Sequence, residues 1–514
     1  MPEYLDTYLE FEDVKNRNPF IGRKPDTSEL PDFEINKSRL PEPVWDGHDE
    51  SVEAYYKAWE IAFSNIFKPT EENGFVSPYI DAAFNGDSFL WDSCFMLMFG
   101  KYGDSVFKFQ GTLDNFYCKQ QPDGFIGRQY HESNGESKFH RLDPVSTGPE
   151  IVAWCEWQYY QNYGDKARLR DVYYPLLCYR RWMRNYRRLQ DGSYWATGWA
   201  CGMDNLPRFD LDAVPGVEDW QVRSFHHSYM SWIDANFQAL LSCKELLKMA
   251  EELDTCDGVD ELKKEAEFLT KFINEKMWSD EDNFYYDLRS NGELLKVKCV
   301  AAYWGLLAGG VPDERKADFI AHLKNEKEFK RPHRVPSLSA DHPEYEESGG
   351  YWNGGVWPPT NYMIIRGLTE CGEEQLAYDI ARNHYENMLE VYCKTGTFFE
   401  NYAPETANPG NPAKGDFVGW SGIVPISVFI EYILGIRVHA EKDEIVWYVR
   451  NLERHGIKKL PIGRDMYADL ICEARNSPDE KPKITLKADK PIKLTVIYGE
   501  NKFEMSFRKD CYSI

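Results

Sequence analysis

The chain of 514 residues carries 84 acidic against 60 basic side chains, a net charge of −24. A field of that sign repels a polyanion, which excludes a nucleic-acid backbone as ligand. No run of about 18 apolar residues occurs, and Met1 is followed by the acidic, polar stretch 2–10, so the sequence predicts neither a membrane span nor a secretory leader but a cytoplasmic protein.

The twelve cysteines are scattered singly with no Cys-x-x-Cys pair. Several, such as Cys155, Cys243 and Cys371, sit in apolar helical stretches, the pattern of buried free thiols in a reducing compartment. Aromatic residues make up 15% of the chain and include 16 tryptophans. Aromatic faces stack on the C–H faces of sugar rings and equally fill a bulky core, so composition alone leaves both roles open.

Residues 1–48 are polar and dotted with Pro19, Pro25, Pro31, Pro41 and Pro43, and read as an extended N-terminal arm lying over the main domain. Apolar residues at helical spacing then predict helices over roughly 50–67, 88–100, 103–118, 148–163, 166–189, 226–253, 258–277, 296–309, 312–325, 352–370, 372–392 and 420–435. The sixth carries Tyr229, Trp232, Ile233, Asn236, Phe237, Leu240, Leu241, Leu247 and Ala250 on one face. Short turns such as 254–258 alternate with long Gly/Pro/aromatic loops at 119–147, 190–225 and 328–351. That alternation suggests six helical hairpins closed in a ring over 49–435.

Beyond Gly435 the period changes to two, with Ile484 and Leu486, then Leu494, Val496 and Tyr498, then Phe503, Met505 and Phe507. Residues 436–514 are therefore expected to form a small C-terminal antiparallel β domain.

Four segments concentrate unusual residues. Phe89-Leu90-Trp91-Asp92 opens a helix, so Asp92 is either a helix-start residue or an acceptor for sugar hydroxyls beside Trp91. Gly198 to Arg208 contains Met203-Asp204-Asn205-Leu206-Pro207, a turn-former whose Trp- and Met-rich setting could raise the Asp204 pKa, as a general acid requires. In Ser348 to Pro358, glycines admit close backbone approach while Tyr351, Trp352 and Trp357 supply a wall. The fourth runs Phe398-Phe399-Glu400-Asn401-Tyr402-Ala403-Pro404-Glu405 and is followed by 415–421. Here Glu400 and Glu405 compete for a catalytic role and composition does not separate them.

These four segments, together with Pro336 to Pro343, resemble in order and spacing glycoside hydrolase family 63 and its clan relatives, including trehalases and bacterial mannosylglycerate or glucosylglycerate hydrolases. The resemblance spans about Phe89 to Ser421. It implies an (α/α)6 barrel and an inverting, exo-acting hydrolysis of a short α-linked glucoside or mannoside. Asp204 would be the general acid and Glu400 the general base, their carboxyl groups about 6.5 to 9.5 Å apart to leave room for water. It further implies that Phe89, Trp91, Asp92, Gln129, Tyr351, Trp352, Gly354, Trp357 and Trp420 line the sugar site. The chain departs from the family pattern at Asn353 and Gly355, where many relatives carry arginine; Arg128 or Arg208 would then supply that contact.

Other readings have weaker support. A sugar epimerase on a similar barrel would use histidines, yet His226-His227 lie outside the aromatic loops. A binding protein without catalysis would lack one of the two carboxylates. No His-Glu-x-x-His occurs and 254–261 lacks the ligand spacing of a calcium loop, so neither metal nor cofactor is expected, only a small carbohydrate as partner.

Overall fold

The structure, a computed structural model, describes residues 11–82, 85–217, 219–507 and 510–513; the first ten residues of the expected arm lie outside the described residues. Its helices are α1 (Phe11–Arg17), α2 (Phe33–Asn36), α3 (Asp49–Ser64), α4 (Leu90–Gly100), α5 (Gly111–Cys118), α6 (Val152–Tyr163), α7 (Lys166–Tyr186), α8 (Trp220–Arg223), α9 (Ile233–Leu253), α10 (Val259–Lys276), α11 (Trp304–Leu307), α12 (Asp313–Ala321), α13 (Pro358–Glu370) and α14 (Glu374–Thr395). A final helical segment begins as a 3-10 turn at Trp420–Ile423 and continues with π-type bonding over Val424–Ile433.

Local chemistry sets several ends. Gly164 terminates α6 in the left-handed conformation, and Asp165 then caps α7 by accepting from the N–H groups of Ala167 and Arg168 at 3.1 and 3.2 Å, so two long helices reverse within two residues. Pro358 opens α13, where its missing N–H costs nothing.

Every residue of α4 is buried, whereas α10 buries one stripe made by Leu262, Glu265, Ala266, Leu269 and Ile273. The difference follows from position. Helix α4 packs on α6, α6 on α9, α9 on α11, α11 on α13, and α13 on Trp420–Ile423, which returns to α4. Around this circuit α7 and α10 lie against α9, α14 against α13, and α3 against the π-type segment.

The helices differ from the sequence expectation mainly at their starts. The sixth begins at Ile233 and not near 226, because Ser228 and Tyr229 take φ values of 53° and 55° and Tyr229 is exposed, outside the apolar face it was expected to share. The third begins at Gly111 after a series of turns. In the eighth only Val300–Leu307 is helical, half of it 3-10.

The C-terminal region is a larger β structure than its three legible strands. One sheet is five-stranded, in the order Glu42–Trp45, His455–Gly463, Met466–Cys472, Ile484–Ala488, Asp510–Ser513. The other holds Ile436–His439, Glu444–Tyr448, Ile492–Tyr498 and Asn501–Phe507. Two corrections follow. Residues 42–45, expected within an extended arm, form an edge strand paired with His455–Lys458, and the second sheet is mixed, since Glu444–Tyr448 runs parallel to Lys493–Ile497.

Beneath the helical ring, buried Glu431 accepts from Lys101 Nζ at 2.9 Å, Tyr102 Oη at 2.8 Å and Tyr362 Oη at 2.9 Å, with Arg366 Nη1 at 3.4 Å. Burial alone would raise its pKa, but Lys101 and Arg366 outweigh it and hold the carboxyl at about 2. Because the folded value lies below the ordinary 4.5, the stabilisation is complete above about pH 4.5 and is lost as pH falls toward 2. Glu431→Gln should cost about 3–5 kcal/mol at pH 7, measured by denaturant unfolding, since it strands two buried cations. The deficit should shrink on acidification.

Candidate active site

The four segments picked out in the sequence meet at one end of the helical ring. Strand residues Asp87–Phe89 pair with Gln129–His131, and the Leu90 N–H donates to the Arg128 carbonyl at 2.9 Å, so the start of α4 carries the Arg128 loop with it. The 198–208 loop lies over Trp91. A Cβ on Gly202, which has φ +75°, would stand 3.2 Å from that indole.

Asn205 joins this loop to the next. Its Nδ2 donates to the Gly350 carbonyl and its Oδ1 accepts from the Trp352 N–H, each at 2.9 Å. Tyr351 between them has φ +61°, a conformation that a bulky residue holds only where its surroundings impose it. Trp352 and Trp357 stack at 3.9 Å with planes 2° apart, and Tyr351 meets Trp357 edge-on at 4.9 Å. Val356 exchanges backbone bonds with Tyr402 at 2.8 and 3.0 Å, which delivers the fourth segment.

Glu400 thereby comes to Tyr351, whose hydroxyl donates to Oε1 at 3.4 Å, while the Lys414 N–H donates to Oε2 at 3.3 Å. The Trp420 indole N–H donates to the Glu400 carbonyl at 2.9 Å. Burial raises the Glu400 pKa and the Asp204 charge adds to that, against the two hydrogen bonds. Asp204 is raised to about 6 by burial, with Arg128 as the main opposing influence. Asp92 is pushed well up by burial and by Asp81 and Glu400, Arg128 again opposing. The half-buried Arg128 thus faces both Asp92 and Asp204 and neutralises neither completely.

Arg128 lies with its guanidinium 5.7 Å from the Phe89 ring and 5.3 Å from the Trp199 ring, and its Nη1 has no hydrogen-bond partner among the described residues. It is a cation held ready in an aromatic slot. Arg208 is not: it is buried in paired bonds to Asp234, at 2.8 Å each, and Asp287, at 2.8 and 2.7 Å. The sequence left the two arginines level, and the structure separates them.

The remaining expected residues divide. Trp91 and Trp420 are buried at the meeting of the loops, and Phe89 and Tyr351 are half-buried. Trp352 and Trp357 are almost wholly enclosed, backing Tyr351. Gly354, φ +151°, is where a Cβ would strike the Glu346 carbonyl at 2.7 Å. Gln129 donates its amide to Asp87 at 2.9 Å, and its Oε1 has no partner among the described residues. Glu405 lies elsewhere, taking Arg331 Nε and Nη2 at 2.6 and 2.9 Å and the Tyr345 hydroxyl at 2.7 Å. The Arg331 bonds draw its pKa below the usual range. Asn205 and Asp81 were not singled out by the sequence for these roles, since a bridging amide and a neighbouring charge leave no local pattern. Arg128 had a signal in its place between Phe125-Ile126-Gly127 and Gln129.

Among the described residues no cluster of three or more His, Cys, Asp and Glu is arranged to hold a metal ion, and no helix is long and apolar enough to cross a membrane.

Aromatic side chains gathered around two carboxyls, Asp204 and Glu400, whose pKa values are raised form an arrangement suited to acid–base hydrolysis. The chain belongs to the family described as mannosylglycerate hydrolase MGH1-like glycoside hydrolase domain, whose profile matches residues 87–421. It is 25% identical over 391 residues to an uncharacterized protein of Borreliella burgdorferi, covering 74% of this chain and 78% of that one. It is likewise 25% identical over 404 residues to a mannosylglycerate hydrolase of Thermus thermophilus, covering 66% and 92%. The crystal structure of a GH63 mannosylglycerate hydrolase from Thermus thermophilus in complex with glucose shares the fold at TM-score 0.59 and 20% identity, covering 73% of this chain and 99% of that one.

Arg208→Met would leave Asp234 and Asp287 buried without their cation. The variant should lose about 3–5 kcal/mol at pH 8 and less at pH 5, because the stranded carboxyls acquire raised pKa values and become neutral as pH falls. Denaturant melts at the two pH values measure it.

Proposed function

We propose that this protein is an inverting, exo-acting glycoside hydrolase that cleaves a short α-linked glucoside or mannoside, with Asp204 as general acid and Glu400 as general base. The helical circuit then reads as the inner ring of an (α/α)6 barrel, with the site at one end. The observation that carries the reading is the pair of carboxyls Asp204 and Glu400, both close enough to Tyr351 to perturb it, with the Asp204 charge also raising the Glu400 pKa.

Each group suits its role. Asp204, at about 6, keeps a proton in mildly acidic solution and hands it to the departing glycosidic oxygen. Glu400 accepts the proton of an attacking water. Its hydrogen bonds to Tyr351 and to the Lys414 N–H hold the ionised form in position. Inversion requires space between the carboxyls for that water. Glu405 fits the base role poorly, because its lone pairs are committed to Arg331 and Tyr345. In this reading Trp91, Asp92, Tyr351 and Trp420 hold the sugar, with Phe89 at the edge, Trp352, Trp357 and Gly354 shaping the wall, and Gln129 steadying the Phe89 strand. Arg128 partly offsets the burial that raises the Asp92 pKa, and the Asp92 carboxyl hydrogen-bonds sugar hydroxyls.

The test is hydrolysis of α-linked glucosides and mannosides followed by NMR during the first turnovers. An inverting enzyme releases the β-anomer first; initial release of the α-anomer would overturn the mechanism. Asp204→Asn and Glu400→Gln should each lower kcat by about three orders of magnitude or more, while Glu405→Gln stays within about tenfold of wild type. A dead Glu405→Gln beside an active Glu400→Gln would move the base. The profile of kcat/KM against pH should be bell-shaped. Its alkaline limb falls near pH 6 as Asp204 loses its proton, and its acid limb lies above the ordinary glutamate value because Glu400 is raised.

A further inference from the structure

Beside Asp204, on the side of the 198–224 loops, is a cavity of about 390 Å³. In the reading proposed above the acid delivers its proton to the departing oxygen, so the group that departs has to occupy the space next to the acid. The lining of this cavity therefore describes the leaving group.

Four features of that lining point one way. Trp220, at the start of α8, is 45% exposed and lines the cavity with Phe209 and the equally exposed Leu211, an open aromatic plane beside an uncovered aliphatic side chain. Asn353 reaches the cavity from the third segment, and its Oδ1 is buried with no hydrogen-bond partner among the described residues. That atom is an acceptor, so it is satisfied by a hydroxyl and repelled by a carboxylate. Of the two cations in the lining, Arg208 is fully spent on Asp234 and Asp287. Arg223 gives its Nε to the Val217 carbonyl at 2.6 Å and stands opposite the carboxylates of Asp219 and Glu344 in the same lining. Apart from the acid itself, two carboxylates thus face one uncommitted positive charge.

We infer that the leaving group is a neutral, ring-shaped polyol, a second sugar stacked on Trp220 with a hydroxyl donating to Asn353, and not a small carboxylate such as glycerate. The inference rests on the hydrolase reading and narrows it. The substrate class becomes an α-linked disaccharide or short oligosaccharide, with Trp220 and Asn353 as specificity-determining residues.

The experiment compares three substrates of each sugar: the α-glycosyl fluoride, whose leaving group needs no cavity, an α-linked disaccharide series, and the glyceric-acid conjugate. For wild type, kcat/KM on the best disaccharide should exceed that on the glycerate conjugate by about tenfold or more. Trp220→Ala should lower the ratio of disaccharide to fluoride kcat/KM about tenfold, chiefly through KM, and Trp220→Phe should restore most of it. Asn353→Ala should lower the same ratio several-fold. Preference for the glycerate conjugate, or an unchanged ratio in both Trp220→Ala and Asn353→Ala, overturns the inference while leaving a hydrolase that acts on the fluoride. Fluorides inert with wild type would remove the hydrolase reading and this inference together.

Discussion

The return of the chain at Trp420–Ile423 to the first buried helix is the contact on which the rest depends. Gly422 makes it possible: a Cβ there would lie 2.6 Å from the Phe99 ring, so only a residue without one lets the two segments meet at this distance. Ser427 Oγ then donates to the Met98 carbonyl at 3.0 Å, and Tyr102 reaches Glu431. Because Trp420 and Ser421 hold the backbone of Glu400 and Phe399 through their side chains, the contact that closes the helical circuit also seats Glu400 near the start of α4.

The chemistry above that contact comes from burial more than from any one partner. Asp92, Asp204 and Glu400 are all raised by loss of water, and Arg128, shared between Asp92 and Asp204, offsets it only in part. Elsewhere the protein buries carboxylates with full compensation, as at Arg208 between Asp234 and Asp287 and at Glu431 among Lys101, Tyr102, Tyr362 and Arg366. The contrast separates structural charge from chemical charge. At Arg208 and Glu431 the carboxyls are committed to cations; at Asp92, Asp204 and Glu400 burial outweighs the partners.

The loops are held by backbone and amide bonds and by packed tryptophans, not by disulfides. Asn205, the Val356–Tyr402 ladder and the Trp352–Trp357 stack tie together segments far apart in sequence, and the left-handed Tyr351 is the strained point that this scaffold supports. Rigid walls of this kind are what a hydrolase needs to exclude stray water while admitting one reactive molecule.

By itself the sequence determined the helical periodicity, the approximate span of most helices, the three strands with clear alternation, and the segments containing Asp92, Asp204, Tyr351 and Glu400. Each of these is a local pattern of apolar spacing, turn residues or aromatic clustering. Only the tertiary structure decided that Glu42–Trp45 completes a sheet formed some 400 residues later, and that Tyr229 stands outside the helix it was assigned to. It alone separated Arg128 from Arg208, and it supplied the physical difference between Glu400 and Glu405, a choice that the family resemblance had already made. These distinctions depend on what each group faces after folding: Arg331 claims Glu405 and two aspartates claim Arg208, while Glu400 and Arg128 are left to the site. Pairing energy and desolvation are set by neighbours across the fold, and a linear pattern holds no record of them.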